Sequence, residues 1–369
     1  MQPRQLQAGE RIRVLVVDDS VVVRRIVTQA LEQDPALQVV ATASNGLLGL
    51  QRIAQLDPHV ITLDIEMPEM DGLEMLRCIR RDHPSLRVVM FSTLTERGAA
   101  ITLEALALGA DDYVTKLSNE VSPGQAPSRL KDELIPKIKQ FFRPAGGIDT
   151  PPPLIAVPRV EFKRSTPAEA IRVQPQAVVI GVSTGGPAAL GAILPQLPAD
   201  FPAPILIVQH MPPLFTRLLA ERLDSQCALR VEEASQDVAV AAGHILIAPG
   251  DFHMRVVGAE GRRRVALDKS AHQNFCRPAV DVLFRSAVDS YGGAVLAVVL
   301  TGMGQDGLLG VQALRANGAS VVIQDEASSI VWGMPGAVAN AGLADRILPL
   351  HEIVPAILQI AGRKSETYV

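Results

Sequence analysis

Cysteine is scarce. Cys78, Cys227 and Cys276 stand far apart in 369 residues, too few for a disulfide framework and without a CxxC pair for zinc. That excludes a small stapled secreted domain and fits a reducing, cytoplasmic setting. Long hydrophobic runs are missing too. Stretches such as Ala294 to Leu300 fall well short of the roughly 20 apolar residues of a membrane span, and the opening Met-Gln-Pro-Arg-Gln has no apolar core, so neither export nor direct membrane insertion is expected. There is no cationic excess: 35 Lys and Arg face 39 Asp and Glu, a net charge of −4, so no global field gathers nucleic acid or an anionic bilayer. No internal repeat is found. What is present is 48% hydrophobic and 20% charged residues, enough to bury sizeable cores over a length of about two to three ordinary domains.

Apolar runs (Val14 to Val17, Val39 to Ala41, Val60 to Leu63, Val88 to Phe91) alternate with helical periodicity, as in Val23, Ile26, Val27, Ala30 and Leu31. Strands rich in Val and Ile without polar alternation are those covered by helices on both faces, which predicts a doubly wound parallel α/β sheet over residues 12–142, ending in a helix from Arg129 to Phe142. Residues 143–176 carry seven prolines and little periodicity and read as a Pro-rich linker. From Ala177 the alternation resumes, with buried strands expected at Ala177 to Gly181, Ile205 to Val208, Ile245 to Ala248, Ala294 to Leu300 and Ser320 to Ile323. A helix from Pro278 to Val288 is expected, together with a hairpin of Met254 to Val257 and Arg264 to Leu267 on the same sheet. Residues 177–363 thus form a second doubly wound parallel-sheet domain.

In the first half, the first strand ends in Asp18-Asp19 and the third in Asp64, followed by Ile65-Glu66. Neighbouring strands bring these carboxylates to the carboxyl edge, where such folds bind ligands. Two carboxylates about 4 Å apart repel by roughly 4 kcal/mol at an effective dielectric near 20, a cost that Mg²⁺ turns into attraction. The fourth strand ends in Phe91-Ser92-Thr93 and the fifth in Tyr113-Val114-Thr115-Lys116, adding a hydroxyl and an ammonium. Four agreeing strand ends resemble the receiver domain of two-component response regulators. The resemblance implies that Asp64 accepts phosphate from a histidine kinase and that Asp18, Asp19, Asp64 and the Glu66 carbonyl hold Mg²⁺. It also implies that Ser92 and Lys116 contact the phosphoryl group and that Tyr113 reorients. Leu117 departs from the proline usual after the lysine.

In the second half, Gly181-Val-Ser-Thr-Gly-Gly186 follows a strand and opens a helix. Such a turn either exposes the Ser183 hydroxyl as a nucleophile or cradles a phosphate at the helix N-terminus. Two further strand ends favour the first: Ile205 to Val208 leads into Gln209-His210, and Ala294 to Leu300 into Thr301-Gly-Met-Gly-Gln-Asp-Gly307. Serine needs an imidazole to take its proton and a carboxylate to hold the imidazolium, roles open to His210 and Asp306. Glycines around Met303 free backbone N–H groups for an oxyanion. His244, His253, His272 and His351 are rival bases, Asp251 and Asp281 rival acids, and the order Ser, His, Asp differs from that of α/β-hydrolases.

With Gln209-His-Met-Pro-Pro213, Ala248-Pro-Gly250 and Arg277-Pro278 through Val282-Leu-Phe284, this half is similar to the methylesterase domain of chemotaxis-type protein-glutamate methylesterases. The resemblance implies hydrolysis of glutamyl γ-methyl esters on chemoreceptors, with glutamine deamidation left open. In its terms Ser183 is the nucleophile, His210 the base, Asp306 its orienting acid, the Met303 N–H an oxyanion donor, Thr184 a supporting neighbour, and no cofactor serves the hydrolysis. Cys276 stands where an aromatic is expected, a matter of local packing. Phe215, near His210, is expected on a rim that the receiver covers. A nucleotide-binding or protein-docking output is the alternative to the esterase.

Overall fold

The computed structural model describes residues 4–116, 126–143 and 174–362, and these divide into two compact units, one ending at 143 and the other starting at 174. The expected linker falls almost wholly outside the described residues, as does Leu117.

The first unit runs β1 (Arg4–Gln5), β2 (Ile12–Val17), α1 (Val21–Leu31), β3 (Leu37–Ala43), α2 (Gly46–Leu56), β4 (Val60–Asp64), α3 (Gly72–Asp82), β5 (Arg87–Ser92), α4 (Glu96–Ala107), β6 (Asp112–Thr115), α5 (Ala126–Lys139) and β7 (Phe142–Arg143). Five strands form one parallel sheet in the order β3-β2-β4-β5-β6. β4 and β5 are buried throughout, as near-continuous apolar runs demand. Helix starts follow side-chain chemistry: Ser20, Asn45, Asp71 and Thr95 each accept a first-turn N–H, and Asp71 with Glu74 completes a capping box. α5 begins and ends three residues earlier than the periodicity suggests and contains Pro136. The strand order reverses at β2, so the crevice between the carboxyl ends of β2 and β4 is where a ligand fits.

The second unit runs β8 (Ala177–Val182), α6 (Gly186–Ile193), β9 (Ile205–Gln209), α7 (Phe215–Asp224), β10 (Arg230–Glu233), β11 (His244–Ile247), β12 (His253–Val257), β13 (Arg264–Asp268), α8 (Val280–Tyr291), β14 (Val295–Val299), α9 (Leu308–Ala316), β15 (Ser320–Gln324), α10 (Met334–Asn340), β16 (Arg346–Leu348) and α11 (Leu350–Ile360). Its sheet has seven parallel strands ordered β10-β11-β9-β8-β14-β15-β16. The chain winds from β8 one way and returns on its other side at β14, so β8 and β14 flank the switch point.

Three expectations need correction. The β12–β13 hairpin forms, but as a separate two-stranded sheet: β12 lies on α8, with the Val256 N–H donating to Ser286 Oγ at 3.0 Å. α8 starts at Val280, two residues after Pro278. Phe215 is fully buried at the start of α7 and is not an exposed rim residue. Among the described residues no helix is long and apolar enough to cross a membrane.

Candidate active site and phosphoacceptor site

The acidic site lies at the first switch point. Asp18 and Asp64 are buried to 2% exposure, Asp19 is exposed, and one oxygen from each lies within 4.8 Å of the others. Lys116 Nζ sits 2.7 Å from Asp64 and 3.1 Å from Asp18. Burial raises the Asp64 carboxyl to about 6, with the Asp18 charge adding to the rise and Lys116 opposing it. Lys116 is held above its ordinary value: burial works against its charge, but the two carboxylates outweigh it. Three hard carboxylates at this spacing, with one ammonium between them, fit Mg²⁺. An open cleft of about 500 Å³ adjoins them, lined by Asp19, Glu66, Met67 and Arg97 among others.

Ser92 is buried and bonded to α4. Its hydroxyl accepts from Thr102 Oγ1 at 2.6 Å and lies 3.2 Å from the Gly98 carbonyl, both on α4. Tyr113 is buried, with the Lys137 ammonium 5.0 Å from its ring centre. The hydroxyl expected to meet the phosphoryl group and the ring expected to reorient are thus both packed inward.

In the second unit, parallel pairing aligns Val182 with Gln209, so the residues that follow, Ser183 and His210, leave neighbouring strands at one level. The His210 N–H donates to the Val182 carbonyl at 3.2 Å, and the Ser183 N–H to the Thr301 carbonyl at 3.0 Å. Two glycines let the backbones come this close. Gly185 has φ +80°, and a Cβ on Gly302 would stand 2.7 Å from the Ser183 Cβ. Ser183 is half-buried at the N-terminus of α6, and among the described residues its hydroxyl has no hydrogen-bond partner.

His210 and Asp306 are in direct contact, Nε2 to Oδ2 at 2.8 Å. The Asp306 carboxylate accepts from five groups: His210, the Val280 N–H at 2.6 Å, Asn274 Nδ2 at 2.8 Å, the Gly307 N–H at 3.0 Å and the Asp281 N–H at 3.1 Å. Two of these are first-turn amides of α8, so Asp306 does not merely cap α9, whose N-cap is Gly307. Burial raises the Asp306 carboxyl, but His210 and the amides outweigh that and hold it below its usual value. For His210, burial works downward, and the Cys276 sulfur beside it together with Asp306 pushes the imidazole up to about 10. Cys276 is thus a near neighbour of the candidate base.

The rivals occupy other positions, His272 being exposed in the loop after β13. His244 starts β11 at the opposite sheet edge, His253 is buried against Ala271 and Ala279 backbone, and His351 is exposed on α11. Asp251 pairs with Arg277 at 3.0 Å. Asp281 lies behind Asp306, taking the Gly310 N–H at 2.7 Å and Asn274 Nδ2 at 2.9 Å. Thr184 is buried, its carbonyl accepting from Thr301 Oγ1 at 2.9 Å, while Met303 is 42% exposed and its N–H has no acceptor among the described residues. Asn274 escapes sequence reasoning, because a loop asparagine without periodicity carries no signal of what the fold places above it.

Comparison with known proteins covers both units. Residues 14–122 match the response regulator receiver domain and residues 178–357 the CheB methylesterase family. A protein-glutamate methylesterase/protein-glutamine glutaminase of Nocardioides sp. is 49% identical over 97% of this chain and 98% of its own length. One from Trichodesmium erythraeum is 48% identical over 95% and 99%. The crystal structure of the Thermotoga maritima CheB methylesterase catalytic domain matches with a TM-score of 0.50 at 45% identity, covering 51% of this chain and all of that one. With relatives this similar over almost their whole length, the chain belongs to the protein-glutamate methylesterase/protein-glutamine glutaminase family, a response regulator receiver domain followed by a CheB methylesterase domain.

Proposed function

We propose that the chain hydrolyses glutamyl γ-methyl esters on chemoreceptors, releasing methanol, and deamidates glutamines at such positions. Residues 12–142 act as the receiver, 143–176 as the linker and 177–363 as the esterase. The observation that carries this reading is the His210–Asp306 pair at 2.8 Å, fixed by backbone amides at the switch point beside Ser183.

In the reaction, neutral His210 takes the Ser183 proton as Oγ attacks the ester carbonyl. The tetrahedral oxyanion accepts from the Met303 N–H, with Thr184 supporting the turn. His210 then returns the proton to the departing methoxide, methanol leaves, and water repeats the sequence on the acyl-serine to give glutamate. With an amide substrate, ammonia leaves instead. The raised imidazole favours holding the proton that His210 takes from Ser183.

In the receiver, Asp64 attacks the phosphoryl group of a histidine kinase: an O–P bond forms as the P–N bond breaks. A carboxyl titrating at about 6 is ionised and nucleophilic at neutral pH. Asp18, Asp19, Asp64 and the Glu66 carbonyl would hold Mg²⁺, which supplies charge neutralisation at the transferring group. Lys116 pairs with the phosphoryl oxygens, and Ser92 must leave Thr102 to reach them, freeing Tyr113 to move. Phosphorylation of Asp64 shifts the protein toward the active esterase; a tenfold change in active population costs about 1.4 kcal/mol. The protein works in the cytoplasm, where kinase and receptor tails meet it. A serine-directed fluorophosphonate should label Ser183 alone; labelling elsewhere, or none in a folded protein, would remove the mechanism.

A further inference from the structure

The least buried large apolar residue among the described ones is Phe275, at 99% exposure. It tips a two-residue turn closed by paired backbone bonds, the Cys276 N–H to the Gln273 carbonyl at 2.8 Å and the Gln273 N–H to the Cys276 carbonyl at 3.1 Å. Both tip residues have positive φ, Asn274 at 51° and Phe275 at 64°. Asparagine tolerates that conformation, but a bulky aromatic is strained in it, and glycine is the residue that hairpin position ordinarily selects. A bulky residue held in this backbone conformation with its ring exposed motivates a role for that ring outside the fold.

The turn stands over the candidate triad. Asn274 Nδ2 uses both its hydrogens inward, on Asp306 at 2.8 Å and Asp281 at 2.9 Å, and Cys276 lies against His210. The turn backbone that carries Phe275 is thereby pinned beside Asp306 and His210, while the Phe275 ring itself is exposed. Met303, 42% exposed, projects from the β14–α9 loop that also supplies Asp306, so two apolar side chains from two loops flank the pair. A glutamyl side chain is short. For its ester carbon to reach Ser183, the protein surface bearing it must descend onto this lip.

We propose that Phe275 is a specificity-determining residue, seating against apolar side chains one turn away from the esterified glutamate on the helix that carries it. This rests on the reading of the substrate as a protein-borne glutamyl ester. An aromatic anchor between a pinned loop and a partner helix is the kind of contact that dominates protein–protein binding, whereas hydrolysis of a small ester has no use for it.

The test compares full-length wild type with Phe275→Ala, Phe275→Gly and Phe275→Tyr on two substrates, a methylated receptor cytoplasmic fragment and a small soluble ester. We expect kcat/KM on the receptor fragment to fall roughly tenfold or more in the alanine and glycine variants, through KM, and to be kept by tyrosine. The small-ester kcat stays, and Phe275→Gly melts at or above the wild-type temperature because the strain is relieved. Equal loss on both substrates, or no loss on either, overturns the inference. Small-ester turnover by a wild type that releases no methanol from the receptor fragment would instead bring down the substrate reading, and this inference with it.

Discussion

Replacing Asp64 by asparagine should stabilise the receiver at neutral pH while destroying its chemistry. Burial lifts the carboxyl from its usual 3.8 to about 6, Asp18 adds to the lift, and Lys116 at 2.7 Å offsets only part of it. An acid whose folded pKa exceeds its unfolded one binds its proton more tightly in the native state, so the unfolded chain holds fewer protons and stability falls as pH rises. The contribution is fully present below the unfolded value of 3.8 and is lost as pH passes through about 6. At the neutral end the loss is roughly 3 kcal/mol, since every tenfold gain in proton affinity on folding is worth about 1.4 kcal/mol. An amide carries no charge to bury at any pH. Asp64→Asn should therefore gain up to about 3 kcal/mol near neutrality and nothing in acid, read as the urea midpoint of the receiver's transition in the full-length protein across that range. Millimolar Mg²⁺ should narrow the gap by stabilising the wild type alone. A variant no more stable than wild type at neutral pH, or a gap that widens toward acid, would refute the reasoning.

Three other outcomes follow from the same geometry. A small phosphodonor with Mg²⁺ should raise methanol release from the wild type but not from Asp64→Asn, whose basal hydrolysis stays measurable; equal stimulation of both would detach Asp64 from control. Cys276→Ala removes one of the two neighbours that raise His210, so the ascending limb of the pH–rate profile should move to lower pH and activity at neutral pH should increase. An unmoved limb would show that the sulfur does not act on the base. A fragment starting near residue 177 should outpace the unphosphorylated full-length protein, and equal or lower activity in a folded fragment would show that the receiver does not restrain the esterase.

Much of the fold and of both sites is legible in the sequence, and the reason is topological. A parallel sheet announces its strands as apolar runs, and the first one or two polar residues after each run sit at the ligand edge. Asp18, Asp64, Lys116, Ser183 and His210 are all readable in that way, and Asp306 within a few residues of its strand. What escapes lacks that marker. β10, Arg-Val-Glu-Glu, and β16, only three residues long, are edge strands too short to show an apolar run. Asn274 reaches Asp306 from a polar loop 32 residues away in sequence, and no pattern in the loop encodes that contact. Ser92 is recognisable as a strand-end hydroxyl, but its turn toward Thr102 is a rotamer choice set by α4 packing, which periodicity does not record.

The most direct measurement is methanol release from a methylated receptor fragment by phosphorylated wild type and by Ser183→Ala. Loss of a triad nucleophile predicts a fall on the order of 10⁶ with the fold intact. An alanine variant that keeps most of the wild-type rate would contradict the account at its centre.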